Sequence, residues 1–399
     1  MNLNKFISEN ITNRTQSMFE KDIVANKDKL KQKINNKTVL VIGGAGSIGS
    51  SFIRSLLRFK PKSIVVVDIN ENALTELTRD IRSTRGLFVP KDYITYPMSY
   101  ADPVFYKMFD SRKGFDIVAN FSAHKHVRSE KDKFSIEALI NNNIINAKEL
   151  LDKLIEYPPK HFFCVSTDKA ANPVNIMGGS KKIMEEMIMS YSDKYPVTTA
   201  RFANVAFSNG SLPAGFLERI SKNQPLSAPK DITRYFVSPK ESGQICLLAC
   251  VIGKSGQIYF PKLKKEQVMT FSEIATKLLE QNNFRVDLCN SEEEAIEKTK
   301  NIEHGFYPVH FSNSHTTGEK PYEEFYTDKE QVDLDRHIAL GVVTSHIPKS
   351  LSEINNLLFL LKSSFENKQT TKEDIVLIMK NFLTNFNHKE TGKSLDSKM

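Results

Sequence analysis

The run Thr38-Val39-Leu40-Val41-Ile42 leads directly into Gly43-Gly44-Ala45-Gly46-Ser47-Ile48-Gly49, and this junction constrains the fold more than any other stretch of the chain. A short β-branched apolar run that stops at glycines predicts a buried strand. Ile48, Phe52, Leu56 and Phe59 then recur at helical spacing. A strand that turns through glycines into a helix lets the backbone approach a pyrophosphate closely. The first helical turn adds unpaired N–H groups and the positive end of the helix dipole. A second β-branched run, 63–67, ends at Asp68. A carboxylate there suits the adenosine ribose hydroxyls and repels a 2′-phosphate. The expectation is an NAD site built from Gly43, Gly46, Ser47, Ile48, Gly49 and Asp68, with NADP disfavoured and Arg79 or Arg82 as the cations that would rescue it.

Strand and helix patterns alternate from there to Arg201. Leu74, Leu77 and Ile81 mark a helix over 70–84. Residues 116–121 and 161–165 read as buried strands with a helix over 136–154 between them. A further helix over 177–191 and a strand over 197–200 follow. Buried strands separated by helices predict an α/β fold with a doubly wound parallel sheet. The expected divisions are an N-terminal extension at 1–36, outside the main fold, and a dinucleotide-binding Rossmann domain at 37–202. A helix near 239–252 packs back on that domain. A smaller mixed substrate region at 203–335 and a helical hairpin at 348–399 complete the chain. In the hairpin, Leu351, Ile354, Leu358 and Leu361 form one apolar stripe and Ile375, Met379, Phe382 and Phe386 another, with Thr371 and Asp374 as a capping pair. The stripes predict packing on the body or on a partner subunit, so a homo-oligomer is expected.

Composition narrows the function. No apolar run approaches the ~18 residues of a membrane helix, so membrane insertion is not expected. The net charge is +8, but the cations are scattered, which suits an anionic small ligand better than nucleic acid. Cys164, Cys246, Cys250 and Cys289 have no CxxC spacing. They read as reduced thiols of a cytoplasmic protein rather than as a disulfide frame or metal site. His124 and His126 lack an acidic or thiol partner in sequence, so no metal is expected.

Chemistry concentrates at Ser166-Thr167-Asp168-Lys169, just past a strand, and at Met177-Gly178-Gly179-Ser180-Lys181, which opens a helix. Carboxyl ends of strands line the ligand crevice of an open α/β sheet. The whole stretch from Ser166 to Lys181 resembles the signature of nucleotide-sugar 4,6-dehydratases of the polysaccharide-biosynthesis type, within the extended short-chain dehydrogenase/reductase family. Ala123-His124-Lys125-His126-Val127, Arg201-Phe202-Ala203-Asn204-Val205, Thr233-Arg234-Tyr235-Phe236 and Gly318-Glu319-Lys320 match as well. The resemblance runs from about Lys37 to Phe325. It implies Lys169 as base, Asp168 as acid, and Thr167 at the sugar 4-hydroxyl. Lys181 would lie on the nicotinamide ribose. Met177 stands where most short-chain dehydrogenases have Tyr and would pack against sugar or nicotinamide. Ser122 and Ala123 would add cofactor contacts, and Lys125, Asn204, Arg234 and Glu319 would hold the nucleotide sugar. The family usually has Arg-Pro before Gly-Glu-Lys, whereas this chain has Thr316-Thr317. The expected activity is a UDP-N-acetylhexosamine 4,6-dehydratase, with UDP-N-acetylglucosamine the favoured substrate. The alternatives are a 4-epimerase, which normally keeps the Tyr, and a non-catalytic dinucleotide-binding regulator, which needs no Asp-Lys pair.

Overall fold

A computed structural model describes residues 1–127, 130–314, 322–345 and 347–390. The strands in chain order are β1 (Thr38–Ile42), β2 (Ser63–Asp68), β3 (Asp92–Pro97), β4 (Ile117–Asn120), β5 (His161–Val165), β6 (Val197–Ala200), β7 (Asn204–Val205), β8 (Leu226–Pro229), β9 (Thr233–Val237), β10 (Gln257–Pro261), β11 (Val268–Thr270), β12 (Arg285–Leu288), β13 (Phe306–Ser312), β14 (Gln331–Asp333) and β15 (Leu340–Ser345). One nine-stranded sheet carries the order β14-β15-β10-β6-β5-β4-β1-β2-β3. It is parallel from β3 through β10, and β15 and β14 close one edge antiparallel. The expected doubly wound α/β sheet is therefore present, with its order reversing between β1 and β4. The central strands are apolar on both faces because helices cover both: Val39, Leu40, Val41 and Val118 are fully buried.

β10 and β15 depart from the expected division of the chain. They fall within or just after the stretch assigned to the mixed substrate region, yet they pair into the main sheet through β6. The remaining strands form two small sheets, β11-β9-β7 and β12-β13-β8. Their core centres on Phe216, Leu226, Phe236, Leu278 and Tyr307. The helix Pro239–Ile252 packs against the helix Ser47–Leu57.

The N-terminal extension is not an outlying arm. Phe19, Leu30 and Ile34 are fully buried in the main core, while Phe6, Ile7 and Ile11 join the smaller one. Arg14 makes a bidentate pair with Glu241 (2.9 Å on each arm) and donates to the Phe236 carbonyl. Asp22 accepts from the Ile338 and Ala339 amides, each at 2.8 Å. Its apolar residues are split among short helical turns, so no single stretch shows a sustained helical period.

The C-terminal helices Leu351–Glu366 and Lys372–Phe382 form the predicted hairpin, with the Thr371–Asp374 capping box in place. Ile354, Leu361, Ile375 and Met379 are fully buried against the chain's own body. Met379 and Phe386 lie against Gly179, in the helix Ile176–Met189, every residue of which is buried.

Candidate active site

β1 ends at Ile42, and Gly43 adopts φ +69°, a left-handed conformation that favours glycine. A Cβ at Gly43 would stand 2.6 Å from the Ser122 amide, so the turn presses directly on the segment that leaves β4. The helix Ser47–Leu57 starts here, with Gly46 at its N-cap making no side-chain bond. Nothing lies closer than 3.5 Å to where a Gly46 Cβ would be. Internal packing therefore leaves room on the outer side of Gly46, as a ligand approaching the helix N-terminus requires. Asp68, at the end of β2, accepts from Ala45 N and Asn70 N at 3.0 Å each. Arg79 pairs with Glu76, and Arg82 lies over the Tyr93 ring, so both cations that would favour a 2′-phosphate have other neighbours.

A cleft of about 660 Å³ opens between the carboxyl edge of the main sheet and the smaller lobe. Ile48, Ala123, Lys125, Thr167, Asp168, Lys169, Met177, Lys181 and Asn204 all line it. The sequence-predicted residues thus converge from five separate segments. Gly43, Gly46, Ser47 and Gly49 belong to the turn after β1, with Ser122 against it after β4 and Asp68 against it at the end of β2, and none of the six lines the cleft. Ser47 Oγ accepts from the Asn209 amide at 2.8 Å, and Lys125 Nζ donates to the Asn209 carbonyl at 2.9 Å, so the loop around Asn209 bridges the turn and the cleft. Lys125 keeps an exposed surface at the cleft mouth, while the protein crowded around its amine pushes its pKa down by desolvation.

β5 delivers the reactive cluster. Thr167 donates to Asp168 Oδ1 at 2.7 Å, and Lys169 Nζ lies 3.1 and 3.2 Å from the two carboxylate oxygens. Asp168 is buried and Lys169 is partly exposed to the cleft. Lys181 is buried, donates to the Val165 carbonyl at 2.9 Å, and has its pKa lowered by loss of solvation. Met177 is buried on the same wall. A carboxylate, a hydroxyl and two lysine side chains are thereby gathered on the lining of one cleft.

Arg234 is buried in β9, donates to the Thr233 carbonyl, and is absent from the cleft lining. It faces Glu323 instead, whose carboxyl it helps to stabilise. Glu319 lies outside the described residues. Glu130, His388 and Glu390 come together, but Lys372 already sits 3.1 Å from Glu130.

Three supports escaped sequence reasoning. Asn143, in a π-turn of the helical segment over 133–153, accepts from His124 N and donates to His124 O and Ser180 Oγ. It thereby ties the segment after β4 to the Met177–Lys181 helix. Glu185 accepts from Ser166 Oγ and, through both oxygens, from Arg201. Glu323 accepts from Asn204 and from the Tyr235 amide. A polar residue on an otherwise buried helix, such as Glu185, was the available signal; the other two have none in local sequence.

The match to known proteins extends over this whole arrangement. A family model described as polysaccharide biosynthesis protein matches residues 39–344. An uncharacterized membrane protein of Methanocaldococcus jannaschii is 32% identical over 61% of this chain and 72% of its own length. The probable polysaccharide biosynthesis protein EpsC of Bacillus subtilis is 28% identical over 78% of this chain, which spans only 48% of that relative. A UDP-glucose 4-epimerase of Rickettsia bellii is 30% identical over 57% of this chain and 66% of its own. Among solved structures, Pen from Bacillus thuringiensis superposes with a TM-score of 0.63 at 21% identity, covering 82% of this chain and 98% of that one, which is a likeness of fold. No helix among the described residues is long and apolar enough to cross a membrane. With its family model spanning well over half of its length, the chain belongs to the polysaccharide biosynthesis protein family.

Proposed function

We propose that the chain is an NAD-dependent 4,6-dehydratase acting on a UDP-N-acetylhexosamine, with UDP-N-acetylglucosamine the favoured substrate. The observation that carries this reading is the Asp168–Lys169 ion pair on the cleft wall beside Met177, a side chain that cannot exchange protons. An acid and a base in direct contact suit the removal of a C5 proton and the departure of the 6-hydroxyl.

The glycine turn, the open side of Gly46 and the Asp68 carboxylate fit a dinucleotide, with the first turn of the Ser47–Leu57 helix toward the pyrophosphate. When bound, the nicotinamide supplies hydride exchange with C4 and then C6 of the sugar. Lys169 takes the C5 proton, which a C4 ketone has made acidic. Asp168 gives a proton to the leaving 6-hydroxyl. Thr167 holds the 4-hydroxyl, whose proton passes through the Thr167 hydroxyl to the Asp168 carboxylate as C4 is oxidised. That is the proton Asp168 later gives to the leaving 6-hydroxyl, while Lys181 favours negative charge at the 4-oxygen. Met177 excludes water and packs against the ring. The buried setting strengthens each of these electrostatic contacts. Asn204, which also lines the cleft, contacts the nucleotide sugar.

The second reading is a 4-epimerase on the same fold, favoured by the Rickettsia bellii relative named for that activity. It needs no C5 chemistry, and Met177 replaces the proton-carrying Tyr that such enzymes normally keep. Incubation with UDP-N-acetylglucosamine and NMR of the product separates the two. A 4-keto-6-deoxy sugar nucleotide is expected, and a C4 epimer that retains its 6-hydroxyl overturns the dehydratase reading.

A further inference from the structure

Glu323 lies behind the cleft wall, bonded to Asn204 and within electrostatic reach of the Asp168–Lys169 pair. It is 8% exposed. One carboxylate oxygen accepts from Asn204 Nδ2 at 2.7 Å and the other from the Tyr235 amide at 2.7 Å. Asn204 lines the cleft whereas Glu323 does not. With its NH2 committed to Glu323, Asn204 presents its amide oxygen elsewhere. Asp168, Lys169 and Arg234 are the charged groups whose fields reach the Glu323 carboxyl.

We infer that Glu323 is a positioning residue for this site: its buried carboxyl aligns Asn204 on the cleft wall and lies in the field of the Asp168–Lys169 pair, so one group couples substrate contact to the acid–base couple. The inference rests on reading the cleft as the nucleotide-sugar site. The electrostatics agree with the geometry. Burial pushes the Glu323 carboxyl up to about 8, the Asp168 charge adds to the rise, and Lys169, Arg234 and the Tyr235 amide oppose it. A carboxyl raised in the folded state binds its proton more tightly there than in the unfolded chain. Its stabilising contribution is complete below the unfolded pKa of about 4.3 and is lost as pH rises toward 8.

The test has two arms. In the first, KM for UDP-N-acetylglucosamine is measured for the wild type, Glu323→Gln, Asn204→Ala and the double variant. Glu323→Gln is expected to raise KM about fivefold or more. In the Asn204→Ala background the same change adds less than about twofold, because the two residues act as one unit. Fully additive effects, or an unchanged KM, overturn the inference. The second arm needs no turnover, so it still decides if the wild type is inactive on this sugar and the functional reading itself fails. Thermal midpoints are followed from pH 4 to 9. The wild-type midpoint is expected to fall between pH 5 and 8, and Glu323→Gln to flatten that fall. Asp168→Asn, which leaves Glu323 in place, moves the inflection to lower pH even if the Gln variant does not fold. An inflection that Asp168→Asn leaves where it was overturns the coupling.

Discussion

Lys169 Nζ sits 3.1 Å from Asp168 Oδ1, so the two side chains form a direct charge-assisted hydrogen bond. Thr167 holds the same carboxylate oxygen at 2.7 Å, which fixes the pair at the end of β5. Neither residue can be removed without unpairing the other.

Lys169→Ala is therefore expected to lower kcat by at least ~100-fold, the lower end of general acid–base contributions. KM should change little, because the lysine is assigned to proton transfer and not to holding the nucleotide. Asp168→Asn should lower kcat by a similar factor. Steady-state kinetics on the nucleotide sugar checks both, and a near-normal kcat in Lys169→Ala removes that residue from the mechanism.

Asp68 sets the cofactor expectation. Its two oxygens accept from Ala45 N and Asn70 N, and a 2′-phosphate beside them would meet acceptor oxygens that offer it no donor. Protein denatured after purification should release NAD and little NADP. Asp68→Ala should weaken NAD binding by about tenfold or more, since a hydrogen bond to a charged group contributes about 1.5–3 kcal/mol. Chromatography of the released nucleotide and titration with each cofactor measure the two effects, and release of mostly NADP reverses the assignment.

The buried pair of Glu185 and Arg201 predicts acid sensitivity. Burial alone would raise the Glu185 carboxyl, but the Arg201 guanidinium, Lys182 and the Ser166 hydroxyl outweigh it and hold the group at about 2. A carboxyl depressed in the folded state contributes stability above its unfolded pKa of about 4.3. That contribution is lost as pH falls from there toward 2. Urea unfolding midpoints should drop across this acid window. Glu185→Gln should cost about 3–5 kcal/mol at neutral pH, because it strips one partner from a fully buried guanidinium. Retention of Glu330 as a second partner at 2.7 Å places the expected value toward the lower end.

The C-terminal segment reaches the reactive loop from behind. Asn385 Nδ2 donates to the Ala171 carbonyl at 3.1 Å, Asn387 N to Pro173 O at 3.1 Å, and Lys389 N to Val174 O at 3.0 Å. Glu130 joins the two sides, accepting from Ile176 N at 2.7 Å and pairing with Lys372 at 3.1 Å. Met379→Ala should destabilise the protein by about 2–5 kcal/mol, the range for emptying a buried Met site. A chain ending at residue 370 should lose turnover more than it loses NAD binding, because the 171–174 loop lies beside the Asp168–Lys169 pair and far from Asp68 in sequence. Equal loss of both would assign the segment to general stability alone.

The sequence made the central sheet legible because β1, β2, β4, β5 and β6 are continuous β-branched or apolar runs between helical periods. β3 was missed because Asp92–Pro97 is an edge strand with half-buried, mixed side chains. The site was legible where polar residues crowd a strand end, at Thr167, Asp168 and Lys169. It was not legible where the partner arrives across long separations. Glu323 lies 119 positions from Asn204, and Glu241 lies 227 from Arg14. No local period or spacing encodes such contacts. Burial of Arg234 behind the wall has the same origin, since it depends on where Glu323 returns to β9.

Isotope labelling distinguishes dehydration from epimerisation most directly. Both reactions begin with hydride leaving C4, so transient reduction of the cofactor does not separate them. Only dehydration removes and replaces the C5 proton, and the Asp168–Lys169 pair, with Lys169 partly open to the cleft, exchanges its protons with water. Reaction in deuterated water should therefore place one deuterium at C5 of the product. Hydrogen from C4 should reappear at C6 undiluted, because hydride held on a bound cofactor does not exchange with solvent. The 6-hydroxyl should leave as water, with no net reduced cofactor accumulating. An epimerase returns hydride to C4, keeps the C5 hydrogen and leaves the mass unchanged. Mass spectrometry and NMR of the product read both labels. An unchanged mass with no C5 deuterium would assign the cleft to epimerisation and remove the C5 proton from the work of Lys169.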